Sequence, residues 1–149
     1  MINIRKAVKE DVSSLVSFNA AMAFETEDKV LDQGIVTKAV SAVFDDDRKG
    51  FYVVAEVENE VVGGLMITYE WSDWRNAWFW WIQSVYIIPE ARGKGIYSLL
   101  YDFVKEKARE DGNVIGFRLY VELENTNAQA VYEKLGMSRS DYYMYDAKI

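Results

Sequence analysis

The stretch Ile87-Ile88-Pro89-Glu90-Ala91-Arg92-Gly93-Lys94-Gly95-Ile96-Tyr97-Ser98-Leu99-Leu100 constrains this chain more than any other. The aromatic run from Trp78 to Ile87 reads as a long strand that ends before Pro89, the only proline. Two glycines follow, and then a helical pattern through Ile96, Leu99, Leu100, Phe103, Val104 and Ala108. Asp111-Gly112-Asn113 closes the helix, and Val114 to Val121 reads as a further strand. A strand–helix–strand unit over residues 78–121 requires a parallel strand pair. The first amides of a helix have no internal partner, and with the helix dipole they form an anion site. Arg92 and Lys94 add positive charge to a chain whose formal net charge is −7. The physical reading is a cradle for a phosphate or diphosphate.

Nucleotide motifs compete for that reading. G-x-x-x-x-G-K-[ST] is absent, and G-x-G-x-x-G fails because position 98 is Ser98. The repeated βα units of a dinucleotide-binding fold are missing as well.

The remaining pattern is mixed. Ile2 to Ala7 is a first strand, and Asp11 stands at the start of a helix carrying Val12, Leu15, Val16, Phe18, Met22 and Ala23. Glu25 to Lys29 is the expected connection to a second helix from about Val30 to Phe44, with Gly34 as an interruption. Phe51 to Glu58 and Val61 to Glu70 form a hairpin around Glu58-Asn59-Glu60. Trp71 to Ala77 is an expected loop. Asn125 to Leu135 is a short helix closed by Gly136, and Tyr142 to Tyr145 a final strand. The order is β-αα-βββ-α-β-α-β, an α/β (α+β) chain with a mostly antiparallel mixed sheet. Without repeat or linker, residues 1–149 are expected to form a single domain.

Composition removes several chemistries. With no His and no Cys there is no Ser-His-Asp triad, no H-E-x-x-H zinc site, no thiolate metal site and no disulfide, and no metal is expected. Proton transfer falls to Asp, Glu, Tyr, Lys, water or backbone. An acidic chain without a Lys/Arg cluster is not expected to bind nucleic acid. No 18-residue apolar span and no signal-peptide pattern occur, so no membrane partner is expected and the cytoplasm is the default compartment.

Arg92-Gly93-Lys94-Gly95-Ile96 resembles the R/Q-x-x-G-x-G/A diphosphate loop of the GNAT acetyltransferase superfamily, and Ile87-Ile88-Pro89 its V-x-P strand end. Asn125-Thr126-Asn127-Ala128-Gln129-Ala130-Val131-Tyr132-Glu133-Lys134-Leu135-Gly136-Met137 resembles the family's N-x-x-A-x-x-x-Y-x-x-x-G-F/M element. The element order agrees too, so the resemblance covers essentially the whole chain. One position departs: where the family loop ends in Gly or Ala, this chain has Tyr97.

The resemblance implies an N-acetyltransferase that moves the acetyl group of acetyl-CoA to a primary amine of a small molecule or protein, in a sheet splayed at its parallel pair. It implies that Val85, Tyr86 and Ile87 pair with the pantetheine arm. Arg92, Gly93, Lys94, Gly95, Ile96, Tyr97 and Ser98 surround the diphosphate, and Asn125 faces the pantetheine end. Tyr132 is implied as the general acid, and a phenol of pKa about 10 suits protonation of a thiolate of pKa about 8.5. The acceptor also needs a base, because an amine of pKa about 10.4 is neutral in roughly one molecule in 2,500 at pH 7. Some relatives place a Glu at the position of Trp81, so that role does not carry over.

Glu25 and Glu122 are the base candidates, Glu122 because strand alternation sets it beside Arg118 and Tyr120. Glu27, Glu70 and Asp73 are further acids in the same regions. The aromatic segment from Tyr69 to Trp81 reads as an acceptor wall, or as core and a homodimer interface. Three other readings stand beside the enzyme: an acyl-CoA-binding sensor or regulatory module without turnover, a transferase of another acyl group, and a nucleotide-binding protein using the same helix start.

Overall fold

A run of β-branched and aromatic residues builds a five-stranded sheet in the order β1-β2-β3-β4-β5. The strands are β1 (Ile2–Lys6), β2 (Phe51–Val57), β3 (Glu60–Ser72), β4 (Ala77–Ile87) and β5 (Val114–Arg118). The helices are α1 (Val12–Glu27), α2 (Gln33–Asp45), α3 (Ile96–Asp111) and α4 (Thr126–Lys134). The computed structural model describes all 149 residues, in two compact units, Met1–Leu119 and Tyr120–Ile149. The first unit holds the whole sheet with α1 to α3, and the second holds α4.

The first three ladders are antiparallel and the β4–β5 ladder is parallel, as the strand–helix–strand pattern requires. Glu58 and Asn59, at φ 51° and 67°, turn β2 into β3. Two consecutive residues with positive φ give a hairpin turn whose twist matches that of the strands. The loop expected at Trp71–Ala77 narrows to a turn over residues 73–76: β3 runs to Ser72, β4 starts at Ala77, and Trp71 pairs with Trp78. Their rings meet at 4.9 Å, edge to face, a geometry aromatic pairs favour. Cross-strand ring packing holds the hairpin together despite its polar composition.

Alternation assigns the two faces of the sheet. Tyr52, Val54 and Tyr86 pack with Leu15, Val16, Phe18, Val40 and Val43 of α1 and α2. Trp80 and Phe117 face the other way, since Phe117 meets Tyr101 of α3 at 5.7 Å. Leu100 and Val104 of α3 are fully buried on that side.

One irregularity shapes β4. Between the Gly64–Tyr86 and Met66–Gln83 pairs, β3 advances two residues while β4 advances three. The extra residue is a β-bulge, marked by Ser84 at φ 52°. The bulge inverts the side-chain parity, so Tyr86 turns to α1 and meets Phe18 at 5.5 Å.

Three boundaries and the last strand differ from the sequence expectation. Helix α1 continues through Glu27, so Glu25 lies in its last turn and not in a loop. Asp28 then takes a left-handed conformation and closes the helix. Helix α2 starts at Gln33 because Asp32 caps it, its carboxylate accepting from Ile35 N at 3.0 Å, and Gly34 sits harmlessly in the first turn. Strand β5 stops at Arg118, short of Val121, because its ladder with β4 ends at the Trp81–Arg118 pair. The bulge three residues further on increases the twist of β4 and leaves a parallel neighbour no straight edge to follow. Glu122 therefore shares no strand face with Arg118. The final strand expected over Tyr142–Tyr145 does not form, and the order ends β-α. A strand requires a ladder partner; here all four side chains are exposed, and Tyr142 N donates to Ser140 Oγ instead.

Candidate acetyl-CoA site

The passage from β4 to α3 opens with a 3-10 turn at Pro89–Ala91. Gly93 and Gly95 have φ of 77° and 76°, in the left-handed region that glycine tolerates without a Cβ penalty. A Cβ at either would meet no atom within 4 Å, so neither glycine is needed for packing within the protein. They shape a turn whose outer side is open. The first helical hydrogen bond of α3 runs from Leu99 N to Gly95 O, at 3.2 Å. The amides of Ile96, Tyr97 and Ser98 thus precede the helical ladder, and no side chain caps them. This is the chemistry of an oxyanion receptor, and a diphosphate fits it.

Tyr97 does not fill this mouth. It is buried, with its ring stacked on Tyr101 one turn along α3, at 6.3 Å and an interplanar angle of 4°. Its amide stays at the helix start while its side chain belongs to the buried face.

Arg92 is held sideways. Its Nε donates to Ile87 O at 2.8 Å and its Nη2 to Glu25 Oε2 at 3.0 Å. Tyr86 Oη donates to Glu25 Oε1 at 3.1 Å, and the Arg92 guanidinium lies 5.4 Å from the Tyr86 ring. Burial, and then the Glu25 carboxylate, push the Tyr86 phenol above its ordinary value. The predicted base and the predicted diphosphate ligand thus form one clasp joining the end of α1 to the end of β4. Lys94 remains exposed, with no ion pair.

Beyond Trp81, β4 continues to Ile87 with β3 as its only ladder neighbour. Val85 to Ile87 therefore turn one edge toward the gap that opens where β5 ends. At the fork stands a cluster that sequence reasoning left unassembled. Glu70 accepts from the Trp81 indole Nε1 at 2.8 Å and from Arg118 Nη1 at 2.9 and 3.0 Å. The Trp81 N–H thus holds a carboxylate borne by the neighbouring strand. Only the register of three strands brings these residues together; the one local signal was Gly116, an isolated glycine inside a strand.

In the second unit, Asn125 caps α4, its Oδ1 accepting from Ala128 N at 3.2 Å. Gln129 Nε2 donates to the carbonyls of Glu122 and Leu123, at 3.0 and 3.1 Å. The Glu122 side chain is exposed. Tyr132 lies on α4, and burial raises its phenol above the usual value, so it is protonated at neutral pH.

Residues 17–137 match the Acetyltransferase (GNAT) family, which is more than half of the chain. The chain belongs to this family. An uncharacterized N-acetyltransferase, YjgM, of Escherichia coli (strain K12) is 38% identical over 97 residues, 61% of this chain and 53% of that protein. The match thus spans about half the length of that relative. A possible acetyltransferase from Clostridium difficile 630 is 48% identical, covers 100% of this chain and 98% of its own, and superposes with a TM-score of 0.92. A predicted acetyltransferase from Clostridium acetobutylicum, solved with acetyl-CoA, has a TM-score of 0.81 at 22% identity, covering 99% of this chain and 96% of its own. That likeness shows a shared fold. The mixed five-stranded sheet of this GNAT protein is the sheet of its structural neighbours.

Proposed function

We propose that this GNAT protein is an N-acetyltransferase that moves the acetyl group of acetyl-CoA to a primary amine by direct attack in a ternary complex. The observation that carries this reading is the uncapped start of α3, with Gly93 and Gly95 opening it, beside the edge of β4 left free where β5 ends. When bound, acetyl-CoA supplies an activated thioester carbonyl.

The amides of Ile96, Tyr97 and Ser98 bind the diphosphate, with Lys94 adding charge. The main chain of Val85 to Ile87 orients the pantetheine arm. Arg92 acts mainly through its clasp, fixing the turn against α1, and less as a free cation. Tyr132 Oη donates a proton to the departing sulfur, and burial keeps that proton in place at neutral pH. Among the bases, each Glu25 oxygen already accepts a hydrogen bond, from Tyr86 or Arg92, which ties the side chain down and leaves one lone pair on each oxygen for a proton. Glu122 is exposed and in no ion pair, which favours it.

The test is a panel of small-molecule and peptide amines incubated with acetyl-CoA, read by release of free CoA thiol and by mass of the acetylated product. At least one amine is expected to turn over. Binding of CoA without transfer to any amine would instead support a sensor module, and turnover confined to other acyl thioesters would revise the donor.

A further inference from the structure

The cluster at the fork is built around one cation. The Arg118 guanidinium carbon lies 3.7 Å from the centre of the Phe79 ring, with Arg75 at 5.5 Å from the same ring. At that distance the guanidinium is laid against the ring, a favoured arrangement for arginine. Phe79 has room there because its partner on β5 is Gly116: a Cβ at 116 would stand 3.1 Å from the ring. Glu70 fixes Nη1 of Arg118, and Trp81 fixes Glu70. Three strands thus hold one guanidinium in one orientation. Only Nη1 is used, so the edge formed by Nε and Nη2 makes no hydrogen bond or ion pair within the protein. About a third of the side chain remains exposed. A planar two-donor edge, already oriented, matches the two oxygens of a carboxylate.

The cluster also lies on a defined face. Phe117 points to α3, so its neighbours Gly116 and Arg118 point away, as do Phe79 and Trp81. Thr68 and Glu70, two and four residues past Met66 on β3, share its face, and Met66 packs on the α1 side. Arg118 thus stands at the last β4–β5 pair, on the face opposite the helix whose start holds the diphosphate.

We infer that Arg118 is a substrate-specificity residue that binds a carboxylate, so that the acceptor is a small amine of the amino-acid class rather than a simple polyamine or alkylamine. This rests on the acetyltransferase reading for the identity of the bound molecule as acceptor. Phe79 and Glu70 are positioning residues that act through Arg118. The carboxylate sits on the Nε/Nη2 edge, and the amine is thereby directed to the fork.

The experiment is calorimetric titration of the CoA-saturated protein with matched pairs: phenylalanine and phenethylamine, lysine and cadaverine, glutamate and 4-aminobutyrate. In at least one pair the member with the additional α-carboxylate binds about tenfold tighter or more, as a charge-assisted bidentate contact requires. Arg118→Gln brings that pair within about twofold while leaving the weaker member's affinity unchanged. Arg118→Lys keeps the charge without the planar fork and restores less than half of the lost discrimination in logarithmic terms; it carries the comparison if the glutamine variant does not fold. No discrimination in any wild-type pair, or full discrimination in a folded variant, overturns the inference. Discrimination in binding without acetyl transfer overturns the enzyme reading and leaves Arg118 as a carboxylate site but not as an acceptor site; transfer without discrimination keeps the enzyme reading and overturns this one.

Discussion

Two side chains carry most of what is testable at the residue scale, and their protons do opposite things. Tyr132 must hold its proton to act as an acid, and burial raises its pKa. Activity that depends on it is therefore retained through neutral pH and falls only as pH rises past the ordinary phenol range of about 10. Tyr132→Phe should lower turnover at least about tenfold, in line with a positioned acid, with CoA affinity nearly unchanged. Steady-state kinetics alongside CoA titration checks both halves. Asp11 must instead lose its proton. It is buried, accepts from Arg5 at 2.7 and 3.0 Å and from Val8 N at 2.8 Å, and the Arg5 guanidinium holds its carboxyl below the usual carboxylate range. A depressed folded-state pKa gives stability that is present above the unfolded value of about 3.9 and is lost as pH falls through the folded one. Asp11→Asn should cost about 1.5–3 kcal/mol in neutral denaturant unfolding, with a smaller difference from wild type at pH 3.

At the scale of elements, two glycines with positive φ do different work. Gly50 has φ of 138°, and a Cβ there would run into the carbonyl oxygen of Ile67, so Gly50→Ala should cost about 3 kcal/mol or more and is read by thermal unfolding. Gly95→Ala meets open space and should cost only about 1–2 kcal/mol from its left-handed backbone, yet weaken CoA binding about tenfold by placing a methyl in the cradle. The sequence distinguished such elements unevenly. Strands β1 to β4 and helices α1 to α3 were legible because each carries its own period, and the glycine turn because the backbone chemistry there is local. The bulge at Ser84 was not, since serine carries no signal for positive φ and only the β3 register imposes it. The Trp71–Trp78 pairing was hidden by a polar stretch, and the end of β5 is set by a partner strand. The site divides the same way. The α3 mouth could be read from five consecutive residues, Arg92 to Ile96, but the Glu25–Arg92–Tyr86 clasp joins residues up to 67 positions apart and needed a fold.

At the scale of the whole molecule, the one parallel strand pair parts early and the uncapped start of α3 follows the end of β4. A ligand that binds only the native state stabilises it by about 2.7 kcal/mol at 100 times its Kd. For a chain of 149 residues that corresponds to a rise in Tm of roughly 5–10 °C with acetyl-CoA, and none with ATP or NAD at equal concentration. No helix is long and apolar enough to cross a membrane.

The most direct probe of the central claim is an amide nitrogen–proton correlation spectrum of the labelled protein titrated with coenzyme A. The largest shifts are expected on the amides of residues 93–98, followed by those of Val85 to Ile87. Saturable binding whose largest shifts lie elsewhere, with residues 93–98 unmoved, would contradict it.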